Sequence, residues 1–166
     1  QVVFGNLVHE LTDNWSLSLA GYTKDTQVEY ADQYTIDAPS RESEGDFYSI
    51  TGAVHYARDS FSSELQISST KDHGADGDEA GTVAKSTLTG YRKSASWLSS
   101  YTGLESIVLN AGVDYAKEEA YRGGTNTADY EKTDKDNKAL FVTALGEFGD
   151  LTTEASVRRD DDGVFG

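Results

Sequence analysis

The chain has no cysteine, few basic residues and no long apolar run, and each shortage excludes something. Without cysteine there is neither a disulfide nor thiolate chemistry, so whatever fold forms is held together non-covalently. Lys plus Arg number 14 against 29 Asp plus Glu, a formal net charge of -15 with a pI near 4.4. That balance argues against nucleic acid, whose binding rests on cationic side chains meeting phosphates. It leaves cations, or solubility alone, as the counterpart of an acidic surface. No window approaches the roughly 18 consecutive apolar residues of a membrane-crossing helix. Histidine is scarce too: His9, His55 and His73 fall into no Ser-His-Asp order and no HExxH motif. Gly123-Gly124 precedes no helix that could cradle a phosphate. A loop His73 beside Asp72 or Asp76 is the one arrangement that could serve as a base, which is too little to make the chain an enzyme.

A low mean hydropathy of -0.56 does not exclude a membrane protein. In a transmembrane barrel, lipid-facing residues alternate with polar lumen-facing ones, so the average stays low. Period-2 alternation is what the sequence offers. Tyr48, Ile50, Gly52, Val54 and Tyr56 oppose Phe47, Ser49, Thr51, Ala53 and His55. Phe61, Ser63, Leu65 and Ile67 oppose Ser62, Glu64, Gln66 and Ser68, and Ile107, Leu109, Ala111, Val113 and Tyr115 oppose Val108, Asn110, Gly112 and Asp114. Leu151, Thr153, Ala155 and Val157 oppose Thr152, Glu154, Ser156 and Arg158. With Val2 to Leu11, Trp15 to about Tyr30, Leu88 to Tyr101 and Lys138 to Phe148, these make about eight strands. Most reach the roughly 9 to 11 residues that cross a bilayer at a tilt.

Short and long connections alternate along the chain. Tight turns fall at Thr12 to Asn14, Ala57 to Ser60, Thr102 to Glu105 and Gly149 to Asp150. Longer loops are expected at about 31 to 45, 71 to 84 and 118 to 136, with a fourth beginning at Asp160. The expected fold is therefore all-β, an up-and-down antiparallel meander over residues 1–166 that forms one segment of a transmembrane β-barrel. Short turns would lie on the periplasmic rim and long loops outside. Aromatics near strand ends, among them Trp15, Tyr48, Tyr56, Phe61, Tyr101, Tyr115, Tyr121 and Phe148, fit the girdles at the two membrane interfaces, although aromatics are also good strand formers. The start, Gln1-Val2-Val3-Phe4, lacks the marks of a signal peptide, and no plug domain is expected within these residues.

The long loops are acidic. Asp32, Asp37, Glu42, Glu44 and Asp46 fall in the first, Asp72, Asp76, Asp78 and Glu79 in the second, and Glu118, Glu119, Asp129, Glu131, Asp134 and Asp136 in the third. Calcium takes six to eight hard oxygen ligands, which clustered carboxylates can supply, but no EF-hand spacing is present. Plain solvation of exposed loops accounts for the same residues.

The run His9-Glu10-Leu11-Thr12-Asp13-Asn14-Trp15-Ser16, then Gly21-Tyr22 and Tyr30, resembles the middle of the barrel of TonB-dependent outer-membrane cobalamin receptors. Gly112-Val113-Asp114-Tyr115, Thr143-Ala144-Leu145, Gly149-Asp150-Leu151 and Ala155 to Asp161 continue the same order. The resemblance spans almost the whole chain, and it rests on order and spacing more than on any one motif. It implies an internal segment of a plugged barrel of about 22 strands. The protein would sit in the bacterial outer membrane and import cobalamin or a similar chelate. Energy would come from an inner-membrane coupling protein acting through an N-terminal part that these residues lack. It also implies calcium held by loop carboxylates. In the family a Tyr-Asp pair opens the corresponding loop; here Tyr30 is followed by Ala31 and Asp32, and Glu42 stands where a second Asp would be. On this resemblance Asp32, Asp37 and Glu42 are the expected metal ligands and Tyr30 the expected contact to cobalamin, while Arg158-Arg159 is a lumen or rim feature.

Two other architectures remain open on the sequence. One is a complete eight-stranded outer-membrane barrel with a structural or adhesive role, closing Val2 to Leu11 onto Leu151 to Arg158. The other is a soluble lipocalin-like binder. If the segment stands alone, its edges are expected to pair with neighbouring molecules, or its sheet to fold into a sandwich.

Overall fold

The computed structural model describes residues 1–30, 41–78, 86–124 and 130–163. They form one antiparallel sheet of eight strands in sequence order, β1 (Val2–Thr12), β2 (Trp15–Tyr30), β3 (Arg41–Arg58), β4 (Phe61–Asp78), β5 (Ser86–Leu104), β6 (Ile107–Gly124), β7 (Tyr130–Phe148) and β8 (Leu151–Asp162). All eight expected strands are present. Each pairs only with its neighbours in sequence, and β1 and β8 each keep one edge unpaired among the described residues.

The tight turns lie within a residue or two of where the sequence places them. Asp13-Asn14, Asp59-Ser60, Glu105-Ser106 and Gly149-Asp150 join successive strands at one rim. The Thr12 hydroxyl accepts from the backbone N–H groups of Asn14 (3.3 Å) and Trp15 (3.2 Å), which fixes the first turn. Asp59 (φ 51°), Ser106 (φ 64°) and Gly149 (φ 63°) supply the left-handed residue that such turns need.

The opposite rim differs from expectation. β3 begins at Arg41, β4 continues to Asp78, β6 to Gly124, β7 starts at Tyr130 and β8 reaches Asp162. Glu42, Glu44, Asp46, Asp72, Asp76, Glu118, Glu119, Asp134 and Asp136 are therefore strand residues, and the connections are shorter than the expected loops. The ladder is made by backbone groups, so polar side chains do not end it where opposite charges face each other. Arg92 Nη1 lies 2.9 Å from Glu118 Oε1, and Lys135 Nζ lies 2.8 Å from Asp162 Oδ2.

β2 to β7 run 16 to 19 residues each. At ~3.3 Å per residue an 18-residue strand is about 60 Å long, and a ~45° tilt leaves about 42 Å along the membrane normal. A barrel's apolar band is only ~25 Å tall. The wall therefore continues well past the membrane at the rim of the longer connections.

Strand register sorts the side chains onto two faces. One carries Leu7, Leu19, Gly52, Ile67, Ala95 and Tyr115 in a single row across six strands, and His9, Leu17, Val54, Leu65, Trp97, Val113 and Leu140 in the next. Trp15, Tyr56, Phe61 and Tyr101 border this band near the tight turns, with Trp15 against Tyr56 at 4.8 Å and Tyr56 against Phe61 at 6.1 Å. Tyr48, Tyr91 and Tyr121 stand beyond its other border. The opposite face is dominated by Ser, Thr, Asn, Asp and Glu. Among the described residues only Ala75 and Ala139 are buried hydrophobic side chains, while Leu7, Ile67 and Leu140 are each more than half exposed. Monomeric water-soluble proteins rarely leave so continuous an apolar band bare, and it suits a lipid-facing wall.

The two closed alternatives are overturned by the open edges. A small barrel or a lipocalin requires β1 to pair with β8, and the strand order is linear instead. Folding over into a sandwich is also absent, because strands distant in sequence make no contact among the described residues.

Close packing on the polar face has a test. A Cβ at Gly112 would sit 2.9 Å from the Trp97 carbonyl oxygen and inside contact distance of the Phe141 ring. Gly112→Val in the full-length protein should therefore cost about 1–3 kcal/mol, read as a lower urea midpoint, whereas Gly21→Val, in open space, should cost less. The 166-residue chain by itself should form oligomers in detergent-free buffer through its two open edges. A monodisperse monomer in sedimentation would contradict that.

Candidate functional site

The polar face beyond the membrane band is where the wall could meet a solute. One row of the register runs Phe4, Tyr22, Ser49, Thr70, Arg92, Glu118 and Lys135 across seven strands. Its last three members alternate in sign, so each charge is flanked by its opposite and the row holds its side chains in place. A depression of about 400 Å³ opens beside them, lined among others by Thr70, Asp72, Arg92, Glu118, Thr133 and Lys135. Tyr22 packs edge-on against Phe47 at 5.6 Å on the same face. Donors, acceptors and rings fixed on a rigid sheet suit a large polar ligand with many hydrogen-bonding groups.

Nearer the tight turns the same face carries a second cluster. Arg158 on β8 makes a bidentate contact with Asp160 (Nη2 to Oδ1 2.9 Å, Nε to Oδ2 3.0 Å), reaches Asp114 on β6 at 3.3 Å, and lies 5.7 Å above the Phe141 ring on β7. Arg158 thus stands on the polar face. Arg159, next to it, points to the opposite face and stands level with Leu140.

The expected ligand residues divide. Tyr30 ends β2 and pairs with Arg41, so it belongs to the polar face. Glu42 is one residue further on and belongs to the other face, where it stands opposite Glu29 and accepts a hydrogen bond from Gln27 Nε2. The sheet therefore does not bring Tyr30 and Glu42 together. Asp32 and Asp37 lie outside the described residues. Among the described residues no three metal-ligating side chains converge. The Arg92-Glu118-Lys135 row is invisible in the sequence because it exists only once three strands are in register.

No family profile matches the chain. It is 44% identical over 166 residues, all of its length, to "Vitamin B12 transporter BtuB" of Vibrio vulnificus, and covers 27% of that protein. It is 27% identical over 154 residues, 93% of its length, to the protein of the same name from Photobacterium profundum, covering 24% of it. The chain thus spans about a quarter of the length of the relatives it matches. Among solved structures, the outer membrane transporter YddB from Escherichia coli superposes with a TM-score of 0.79 at 10% identity, over 96% of this chain and 27% of that one. That likeness concerns fold, and it is to an outer-membrane barrel. Identity along the whole of this chain and an open meander with a lipid-facing band lead to one conclusion: the chain is similar to about a quarter of the vitamin B12 transporters it matches and has the fold of a segment of an outer-membrane β-barrel.

Proposed function

We propose that these eight strands form part of the wall of an outer-membrane receptor that takes up cobalamin or a closely similar chelate. The observation that carries this reading is the whole-length identity of 44% to a vitamin B12 transporter, on a chain whose polar face continues past the membrane band. The upper polar face, around Arg92, Glu118 and Lys135, would line the path of the ligand, with Tyr30 contacting it at the rim. Energy would be delivered by an inner-membrane protein through parts of the receptor outside these residues. Chemistry on the ligand is no part of this reading.

Calcium belongs to the same proposal. Glu29 and Glu42 stand directly opposite each other at the base of the connection whose sequence contains Asp32 and Asp37. Like charges in that position are destabilising, and a divalent cation would offset the repulsion. Hard carboxylate oxygens suit calcium, and an ion there would tie the connection to the strand ends.

The test is binding of labelled cobalamin by the full-length receptor, with calcium and with chelator. Cobalamin should bind, and chelation should weaken it about tenfold, equivalent to ~1.4 kcal/mol. Glu29→Gln with Glu42→Gln should remove that calcium dependence while leaving the barrel folded. Absence of cobalamin binding under both conditions would overturn the substrate, and an unchanged calcium response in the double variant would overturn the ligand set.

A further inference from the structure

The membrane face has a feature that uptake of a solute does not use. Following each strand outward from the apolar band, the first charged residue on that face is a cation in five consecutive strands: Lys71 on β4, Lys93 on β5, Lys117 on β6, Lys138 on β7 and Arg159 on β8. These five do not share one register row. Lys71 pairs with Tyr91, two residues beyond Lys93. Lys117 pairs with Asp136, two beyond Lys138, which in turn pairs with Asp161, two beyond Arg159. Three two-residue steps, about 20 Å, accumulate over four strand spacings of ~4.8 Å, about 19 Å. The line therefore crosses the register at roughly 45°, close to the strand tilt of a membrane barrel. Five cations that step diagonally through the sheet are level in the membrane.

Their surroundings favour an anion. Lys93 and Lys117 are direct cross-strand partners, and like charges so placed repel. They border a depression of about 500 Å³ together with Thr89, Tyr91, Glu119 and Tyr121. Tyr91 and Tyr121 pack edge to face at 5.8 Å. The one carboxylate in this lining is already compensated, since Glu119 accepts from the Tyr121 hydroxyl at 3.1 Å and meets Lys117 Nζ at 3.0 Å. Lys138 lies 3.3 Å from Asp136, whereas Lys71, Lys93 and Arg159 make no ion pair among the described residues. Cations at the border of an apolar band, beside amphipathic tyrosines, lie where lipid phosphates lie.

We propose that the line Lys71, Lys93, Lys117, Lys138 and Arg159 is a binding site for phosphate-bearing lipid of the outer leaflet, centred on the depression between Lys93 and Lys117. The lipid phosphate meets the Lys93 ammonium, with the Lys117 ammonium, shared with Glu119, beside it, and its chains lie along the apolar band below. The site rests on the barrel reading and is independent of which solute is carried.

Native mass spectrometry of the full-length receptor in mixed micelles of phosphatidylglycerol and phosphatidylcholine tests it. The parent protein should retain phosphatidylglycerol preferentially, and Lys93→Gln with Lys117→Gln should reduce that retention about fivefold for each charge removed. Lys24→Gln, on the polar face, should leave it unchanged. Heat-modifiable migration in gels shows separately that parent and variant are folded barrels; should the double variant fail there, Lys93→Gln alone decides. Equal retention in parent and variant would overturn the proposal. Displacement of the lipid by inorganic phosphate would assign the site to a soluble anion and overturn the lipid.

Discussion

Backbone N–H and C=O groups that enter hydrocarbon must be hydrogen-bonded within the protein, because no water is there to take them. In this chain that requirement is met by pairing each strand with its sequence neighbours, from β1 to β8. Other features follow from it. With the backbone satisfied by the ladder, side chains are free to be apolar on one face and polar on the other. The sheet needs no conventional core, and Ala75 and Ala139 are the buried hydrophobic side chains among the described residues. The same logic explains why the ladder does not stop at the membrane border. Beyond it, opposed charges such as Arg92 with Glu118 let strands continue where hydrophobic residues run out.

The two faces consequently do different work at the same height. On the polar face, opposite charges stand side by side and hold the side chains of the wall in place. On the membrane face, cations gather at the band's border with two of the five neutralised by neighbouring acids. Arg158 and Arg159 show how sharply the division is drawn. Adjacent in sequence, one is clamped by Asp114 and Asp160 above the Phe141 ring, and the other faces lipid.

Much of this is legible in the sequence, because the signals are local. The four tight turns fall within a residue or two of their expected places, since Asp-Asn, Asp-Ser and Gly-Asp pairs mark them without reference to anything distant. Strand faces such as Tyr48 to Tyr56 follow from period 2 alone. The outer strand ends are not legible, because Asp72-His73-Gly74-Ala75-Asp76 looks like loop by composition, and only its partners across the sheet keep it extended. Glu42 is expected beside Tyr30 at one site, but a single residue of offset from Arg41 puts it on the other face. Cross-strand charge rows and the level line of cations depend on register, and register is a relation between segments that no single segment states.

The strictly nearest-neighbour order also bears on how such a wall is assembled. Joining two strands through a two-residue turn closes a very short loop, whose entropic cost is small compared with that of a distant contact. Each completed hairpin then presents a ready edge for the next strand, so the sheet can grow one strand at a time along the chain. No strand from β2 to β7 has to wait for a partner far away in the chain. Among the described strands, β1 and β8 alone keep an outer edge unpaired, so any pairing made there joins segments that no short turn holds together and is slower than the local steps.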